Sequence, residues 1–363
     1  MGPILVVNAG STSLKLSLVE ANDATTSLQS LDEVGAASVE AVAHRVVHGG
    51  SRFRGPVVID AEVEADIVAL ESLAPLHNAP AVEGIERARR VLPDVVHVAV
   101  FDTAFHATIP EEASAYAIPR SWREDWGVRR YGFHGLSVQW CAERVPILLG
   151  RSADDLRLVI CHLGGGCSVT AVRDGRSLDT TMGFSPLEGI PMTTRSGSLD
   201  PGAVLYLMRE RGLDASAIDH SLNFDSGLKG LAPEPGGTRE IERAAEAGDR
   251  VARLAMDVFI HRLAGAVAAM AAAAGGLDAL VFTAGIGENS ALVRARTCER
   301  LAFLGVVIEP SLNAVAQPDC DVAAENSRAR VTVIHAREDL VAARAVRSLL
   351  HGRALTHEDQ GTR

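Results

Sequence analysis

One local pattern occurs twice in this chain and narrows what it can fold into. Residues 158–173 read LVICHLGGGCSVTAVR: an apolar run, the three glycines Gly164, Gly165 and Gly166, then an apolar alternation through Val169, Ala171 and Val172. That spacing reads as strand, tight turn, strand. Residues 4–19 repeat the grammar, with Ile4 to Val7 apolar, Asn8 to Ser13 a Gly/Ser/Thr turn, and Leu14 to Val19 alternating. Two such hairpins predict a duplicated α/β architecture of two related halves. The glycine turn itself admits two readings, an ordinary hairpin tip or a cradle of bare backbone N–H groups facing an anion.

The segment beyond the second hairpin favours the cradle. Residues 182–202 hold few long apolar runs but contain Pro186, Glu188, Gly189, Pro191, Arg195, Asp200 and Pro201. So long a loop inside a compact domain is usually functional or disordered. Thr181, Thr193, Thr194 and Arg195 are good anion ligands. No G-x-x-x-x-G-K-[ST] occurs, which excludes a P-loop enzyme.

The remaining elements are read in order. Residues 42–50 form a strand ending on two glycines, with Arg45 inside it. An arginine in an apolar strand needs an anionic partner, either a buried carboxylate or a ligand. Residues 60–74 are periodic as an amphipathic helix, followed by His77, a core histidine or a ligand contact. Val95 to Phe101 is a strand closing on Asp102, at the strand end where α/β sheets bind ligands. Tyr131 to Gly135 opens a helix that runs to Leu149, and a histidine there, His134, is pushed toward neutrality by the helix dipole unless a phosphoryl group beside it favours the imidazolium. Residues 201–212 and 215–222 read as helices, 226–237 as a Gly/Pro loop, and 239–275 as two helices. A strand at 280–283 turns through Gly285, Ile286, Gly287, Glu288 and Asn289 into a helix start, a plausible nucleotide geometry. A strand at 331–334, a turn at 337–339 and a helix from Leu340 to about Leu350 close the chain, with frayed residues after 353.

Composition sets limits on partners. A length of 363 residues predicts two domains, and 47% hydrophobic with 22% charged residues is ordinary for a soluble chain. A net charge of −11 without a basic run argues against nucleic acid. The five cysteines show no C-x-x-C spacing, so neither a disulfide framework nor a zinc site is indicated. The first apolar run is too short for a signal peptide, and the most apolar segment, residues 263–276, is too short for a span. A cytoplasmic protein with no membrane partner is expected.

Several blocks together resemble one family. CHLGGGCSVTAV, TTMGFSPLEG and TRSGSLDPG, with VVNAGSTSLK (6–15), HRVVHGG (44–50), LAPLHNAPA (73–81), VFDTAFHATIP (100–110), YGFHG (131–135) and FTAGIGENS (282–290), are similar to the acetate kinases, short-chain acyl-phosphate kinases. The resemblance implies two duplicated actin/ribonuclease-H-like domains around a central cleft that closes on nucleotide. Residues 1–143 plus 338–363 would form the acyl-kinase domain and 144–337 the nucleotide-binding domain. It implies a homodimer, and ATP/ADP with acetate/acetyl phosphate as substrates.

Carried over position by position, the resemblance makes Arg45, Asp102, His134 and Arg195 catalytic. Arg45 and Arg195 would flank the carboxylate and the moving phosphoryl group. Arg195 and His134 would stabilise the transition state, and Asp102 would orient Arg or Mg²⁺. Val47, Leu76, Phe133 and Pro186 would form a small apolar pocket for the acyl methyl, with His77 beside it. Lys15, His162, Gly164, Gly165, Gly166 and Cys167 would hold phosphates; Arg239 and Gly285, Ile286, Gly287, Glu288 and Asn289 would hold the nucleotide. Asn8 and Glu338 would lie near Mg²⁺, with Mn²⁺ as the other ion accepted.

The chemistry of the residues agrees with that assignment. Acetate is already a carboxylate and needs no general base. The site has to overcome anion–anion repulsion and neutralise charge on the phosphoryl group in flight. Three departures from the family pattern lie on the nucleotide or metal side: Gly165 and Cys167 replace Asn and Ser, Gly237 replaces an Asp two residues before Arg239, and Ala336-Arg337 replaces Thr-Asn. Each lost polar contact would cost roughly 1–3 kcal/mol if buried. They leave open pyrophosphate or another nucleotide as donor; propionate or butyrate as acceptor is a separate alternative, since a pocket discriminates a methylene by only about 1–3 kcal/mol. A non-catalytic sensor is disfavoured by Arg45, Asp102, His134 and Arg195 occurring together, and a sugar kinase by the apolar pocket.

Overall fold

The computed structural model describes residues 2–9, 14–34, 39–73, 75–232 and 237–358; the side chains of 72, 75–77 and 353–358 lie outside the description. The chain divides into two compact units. One comprises residues 1–107, 133–140 and 337–363; the other comprises 108–132 and 141–336. The segment 108–132, expected with the first half, therefore clusters with the second. Its contacts explain this: the Tyr131 N–H donates to the Gly183 carbonyl at 3.0 Å and the Thr108 hydroxyl to the Ser177 carbonyl at 2.9 Å.

The first unit is built on six strands, β1 (Ile4–Ala9), β2 (Leu14–Val19), β3 (Thr25–Leu28), β4 (Ala41–Val46), β5 (Val57–Val58) and β6 (Val96–Phe101). Their order is β3-β2-β1-β4-β6-β5. The strands β1, β2 and β3 form an antiparallel meander, β1, β4 and β6 run parallel, and β5 pairs antiparallel at the edge. The second unit repeats this with β7 (Arg157–Leu163), β8 (Cys167–Arg173), β9 (Arg176–Thr180), β10 (Ala279–Thr283), β11 (Cys320–Asp321) and β12 (Arg330–Ile334). Read from β9, the order β9-β8-β7-β10-β12-β11 is strand for strand the same. The duplication predicted from the two hairpins is thus a duplication of whole sheets.

Each face of the first sheet takes one helix. The alternate residues Ile4, Val6, Ala41, Ala43, Val98 and Val100 pack against Leu340, Val341, Ala343 and Val346 of the C-terminal helix Glu338–Glu358. The intervening residues Leu5, Val7, Val42, Val46, Ala99 and Phe101 meet Ala81, Val82, Ile85 and Ala88 of the helix Pro75–Val91. Side chains of this size contribute about 1.5–3 kcal/mol each when fully buried. In the second unit the helix Arg250–Ala273 is long and apolar enough to cross a membrane. It instead buries Met256, Phe259, Ile260, Leu263 and Val267 and lies against β7 and β8.

Several elements differ from their sequence expectation. The helix Pro75–Val91 is not signalled in the sequence, because Pro75 opens it and Pro80 interrupts its pattern. The helix expected over 60–74 ends at Ala69 and continues as a 3₁₀ turn, Leu70–Leu73. The loop expected over 226–237 contains a short helix, Gly227–Leu231. The last helix begins at Glu338 and runs to Glu358, longer than expected at both ends.

Three buried histidines give the first unit a defined acid response. His44 Nε2 and His97 Nδ1 are 2.9 Å apart, and the other His97 ring nitrogen lies 3.0 Å from the Leu92 carbonyl. His106 Nε2 lies 2.9 Å from the Phe133 carbonyl. Burial lowers all three, His106 to about 4. A histidine whose folded pKa is depressed contributes stability above its unfolded value near 6.5 and loses it as pH falls toward the folded value. The loss is about 1.4 kcal/mol per pH unit for each such group. The urea midpoint is therefore expected to fall steadily from about pH 6.5 downward; a midpoint constant to about pH 5 would contradict this account.

Candidate functional site

The polar residues of the first unit are placed by sheet register. Lys15 pairs with Asn8 across β1 and β2, Asn8 pairs with Arg45 across β1 and β4, and Arg45 pairs with Val100 on β6. Paired residues share a face, and Asp102 follows Val100 by two, so Lys15, Asn8, Arg45 and Asp102 belong to one face. This is the face whose earlier positions, Ile4, Val6, Ala41, Ala43 and Val98, are packed under the C-terminal helix. At the carboxyl ends of the strands the same face changes from apolar to ionic.

Arg45 is the centre of that polar end. Its Nε donates to Asp102 Oδ1 at 2.9 Å and its Nη2 to Asp102 Oδ2 at 2.6 Å. Its Nη1 donates to Asn8 Oδ1 at 3.2 Å and meets Glu338 Oε2 at 3.0 Å. The Asp102 side chain is 1% exposed and that of Arg45 17%. The buried carboxylate that the sequence allowed as a partner of Arg45 is Asp102. Burial alone would lower the guanidinium pKa, but Asp102 and Glu338 hold it above its ordinary value. Both Asp102 oxygens are engaged by this fork, a bidentate geometry that fixes the plane of the guanidinium.

His134 reaches this corner through a glycine. The Gly135 N–H donates to the Asp102 carbonyl at 2.9 Å, and a Cβ on Gly135 would lie 2.0 Å from that oxygen. His134, at φ 60°, precedes the helix Gly135–Leu149, and its carbonyl accepts from Val138. Phe133 is buried, and its ring meets His48 edge-on at 5.3 Å. Val47 is half-buried at the end of β4, and Lys15 is exposed. Leu76 and His77 have side chains outside the described residues. Their neighbour Asn78 is fully buried and exchanges two hydrogen bonds with the backbone of His48, at 3.0 and 3.1 Å, which fixes the HGG turn. Sequence reading passed over both Gly135 and Asn78.

In the second unit three distant sequence blocks meet around a cavity of about 220 Å³. Gly164 and Gly165 come from the β7–β8 turn, Thr238, Arg239 and Glu242 from the helix Thr238–Glu246, and Gly285, Ile286, Asn289 and Ser290 from the segment after β10, with Thr193 completing the lining. Six predicted nucleotide residues are among these. Gly166 belongs to the same turn, its carbonyl accepting from Gly164 N at 2.9 Å, and His162 is buried at the end of β7. Thr193 was read from the sequence as an anion ligand; Thr238, Glu242 and Ser290 were not anticipated, since a hydroxyl or a lone carboxylate carries no motif.

Two predicted contacts take a different form. Cys167 is fully buried; its Sγ donates to the Gly164 carbonyl at 3.4 Å, and burial pushes the thiol up to about 12. Its side chain braces the turn from behind. Glu288 is likewise committed internally: Oε1 accepts from the backbone of Ala284 and Ala336 at 3.0 and 2.9 Å, and Oε2 lies 2.7 Å from His335 Nδ1. It holds the strained start of its helix, where Ala284 has φ 65°. Arg294 supports the same loop, donating to the carbonyls of Gly287 and Glu288 at 2.9 Å while 2% exposed.

The long loop 181–200 is ordered by a cluster that sequence reading also missed. Arg130 donates to the carbonyls of Thr180, Thr181 and Met182 and to Glu188, and the Tyr116 hydroxyl bonds Glu188 and accepts from Phe184 N. Gly183 sits where a Cβ would strike Glu188 and Tyr116. The loop carries Arg195, whose Nη1 donates to the Pro186 carbonyl at 3.0 Å; burial lowers the Arg195 guanidinium pKa. A larger cavity of about 630 Å³ borders this loop, and of the residues read as anion ligands it is lined by Thr181.

Two sheets of one topology, each ending in a ligand-type corner, define a two-domain protein of the actin/hexokinase-like class. The chain belongs to the Acetokinase family, whose model matches residues 29–344. It is 51% identical over 304 residues to the acetate kinase of Acaryochloris marina, covering 84% of this chain and 75% of that one. To the acetate kinase of a Synechococcus strain it is 49% identical over 317 residues, 87% of this chain and 78% of that one. Among solved structures, a propionate kinase from Francisella tularensis matches at TM-score 0.88 and 35% identity, covering 95% of this chain and 99% of that one. Porphyromonas gingivalis acetate kinase matches at 0.86 and 33%, covering 96% and 100%.

The contact between Gly135 and Asp102 supplies a direct check. Gly135→Ala is expected to destabilise the protein by about 1–3 kcal/mol, the usual range for overpacking, and to displace His134. Unchanged melting with unchanged turnover would show that the close approach is not required.

Proposed function

We propose that this chain is an acetate kinase that transfers a phosphoryl group reversibly between ATP and acetate, giving acetyl phosphate and ADP. The observation that carries this reading is the Arg45 corner. A guanidinium whose plane is fixed by a buried aspartate stands at a strand end, and relatives near 50% identity are named acetate kinases. A carboxylate substrate needs that charge and no base. Asp102 has both oxygens on Arg45, which suits an orienting role and leaves it poorly placed to abstract a proton.

In the proposed step one carboxylate oxygen attacks the γ-phosphorus in line. The new C–O–P bond forms as the bond from phosphorus to the β,γ-bridging oxygen breaks, and the electron pair leaves with ADP. Arg45, Arg195 and a protonated His134 would offset charge on the equatorial oxygens. Asn8 and Glu338 offer two oxygen ligands to Mg²⁺, or to Mn²⁺ in its place. Two protein ligands fit an ion that keeps water and phosphate oxygens for its remaining positions. When bound, that ion would supply positive charge against the phosphates. The residues of the second-unit cavity would take the donor.

The acceptor pocket favours a short chain but discriminates one methylene by only about 1–3 kcal/mol, so propionate is expected as a slower acceptor. A homodimer is proposed on the helix Pro201–Arg211, which has no buried residue among its described positions and exposes Leu205, Tyr206 and Met208 beside Leu199. Large apolar side chains left exposed along one helix are the kind of surface that association covers.

The test is to trap acetyl phosphate as its hydroxamate with acetate, Mg²⁺ and either ATP or pyrophosphate, on protein whose mass in solution is measured by light scattering. Turnover with ATP and a dimer mass are expected. Turnover with pyrophosphate alone would overturn the donor, silence with both would overturn the activity, and a monomer mass would remove the dimer.

A further inference from the structure

The second-unit cavity contains a carboxylate that the nucleotide reading, on which this inference rests, leaves unused. Glu242 lies four residues beyond Thr238 on the helix Thr238–Glu246, so the two share a helix face, and both line the cavity. Its Oε1 accepts from the Ser290 hydroxyl at 2.9 Å, and its Oε2 has no hydrogen-bond partner among the described residues. Burial raises its pKa, which marks an environment that disfavours an unsatisfied charge.

The rest of the lining restricts what could satisfy it. Arg239 is the single cation there, while Thr193 and Thr238 contribute hydroxyls 3.5 Å apart. Phosphate oxygens would be repelled by Glu242 and suit the backbone of the Gly164–Gly165 turn instead. A group with hydroxyl donors would satisfy the carboxylate. The volume, about 220 Å³, is below the range of roughly 300–1,000 Å³ for cavities that enclose a whole ligand. It fits one portion of the donor.

We propose that Glu242 reads the ribose hydroxyls of the donor and thereby makes this chain selective for ribonucleoside phosphates over 2′-deoxy donors and pyrophosphate.

Calorimetric titration of the full-length protein with ADP, 2′-deoxy-ADP and pyrophosphate, each with Mg²⁺, tests the assignment. Wild type is expected to bind ADP roughly tenfold more tightly than 2′-deoxy-ADP, the scale of one hydrogen bond to a charged group. Glu242→Gln, which retains an acceptor for Ser290, and Glu242→Ala are expected to bring that ratio close to one. Equal wild-type affinities, or variants that keep the wild-type ratio, would overturn the role of Glu242 while leaving nucleotide binding intact. Binding of pyrophosphate alone would overturn the nucleotide reading and this inference with it. Should both variants fail to melt cooperatively, the wild-type ratio alone decides.

Discussion

The ionic contact between Arg45 and Asp102 is the constraint on which the first unit's chemistry depends. A guanidinium in the middle of a sheet is tolerable only with its charge answered, and a buried carboxylate with both oxygens engaged answers it. The pair sits where a face that is apolar against the C-terminal helix runs out of helix. Asn8 and Glu338 close the remaining side. Because the C-terminal helix begins at Glu338, its packing on the sheet also delivers the second acid to Arg45. Core packing and site assembly are one event there.

The second unit uses the same sheet differently. Its strand ends carry glycine turns and helix starts in place of a charged pair, so backbone N–H groups are presented where the first unit presents side chains. Such loops need support from behind, and it comes from groups with no exposed role. Cys167 holds the Gly164 carbonyl, Glu288 holds the backbone of Ala284 and Ala336, and Arg294 holds two carbonyls of the same loop. The loop 181–200 is likewise fixed by Arg130, Tyr116 and Glu188, and through it Arg195 is placed.

Much of this was legible in the sequence, for identifiable reasons. Hairpins with glycine-rich turns have a strong local signature, so both sheets were signalled by 4–19 and 158–173. Arg45 stood out because a charge within an apolar strand demands a partner. The helix Pro75–Val91 was not legible, since its internal proline imitates a break. Gly135 and Asn78 were missed because their function is a close approach and a backbone bridge, both made to residues remote in sequence. Cys167 and Glu288 lie within motifs that suggest ligand contact, yet their side chains face inward. A motif names the backbone that meets the ligand, and the direction of each side chain is settled by packing.

The central claim is that Asp102 acts through Arg45. It is tested most directly by kcat/KM for acetate in a double-mutant cycle of Arg45→Ala and Asp102→Ala, with melting curves for each protein. Non-additivity is predicted: with Arg45 already removed, the second substitution should cost little further activity. Losses that simply multiply, as expected of independent sites, would mean that Asp102 meets the reacting groups on its own account.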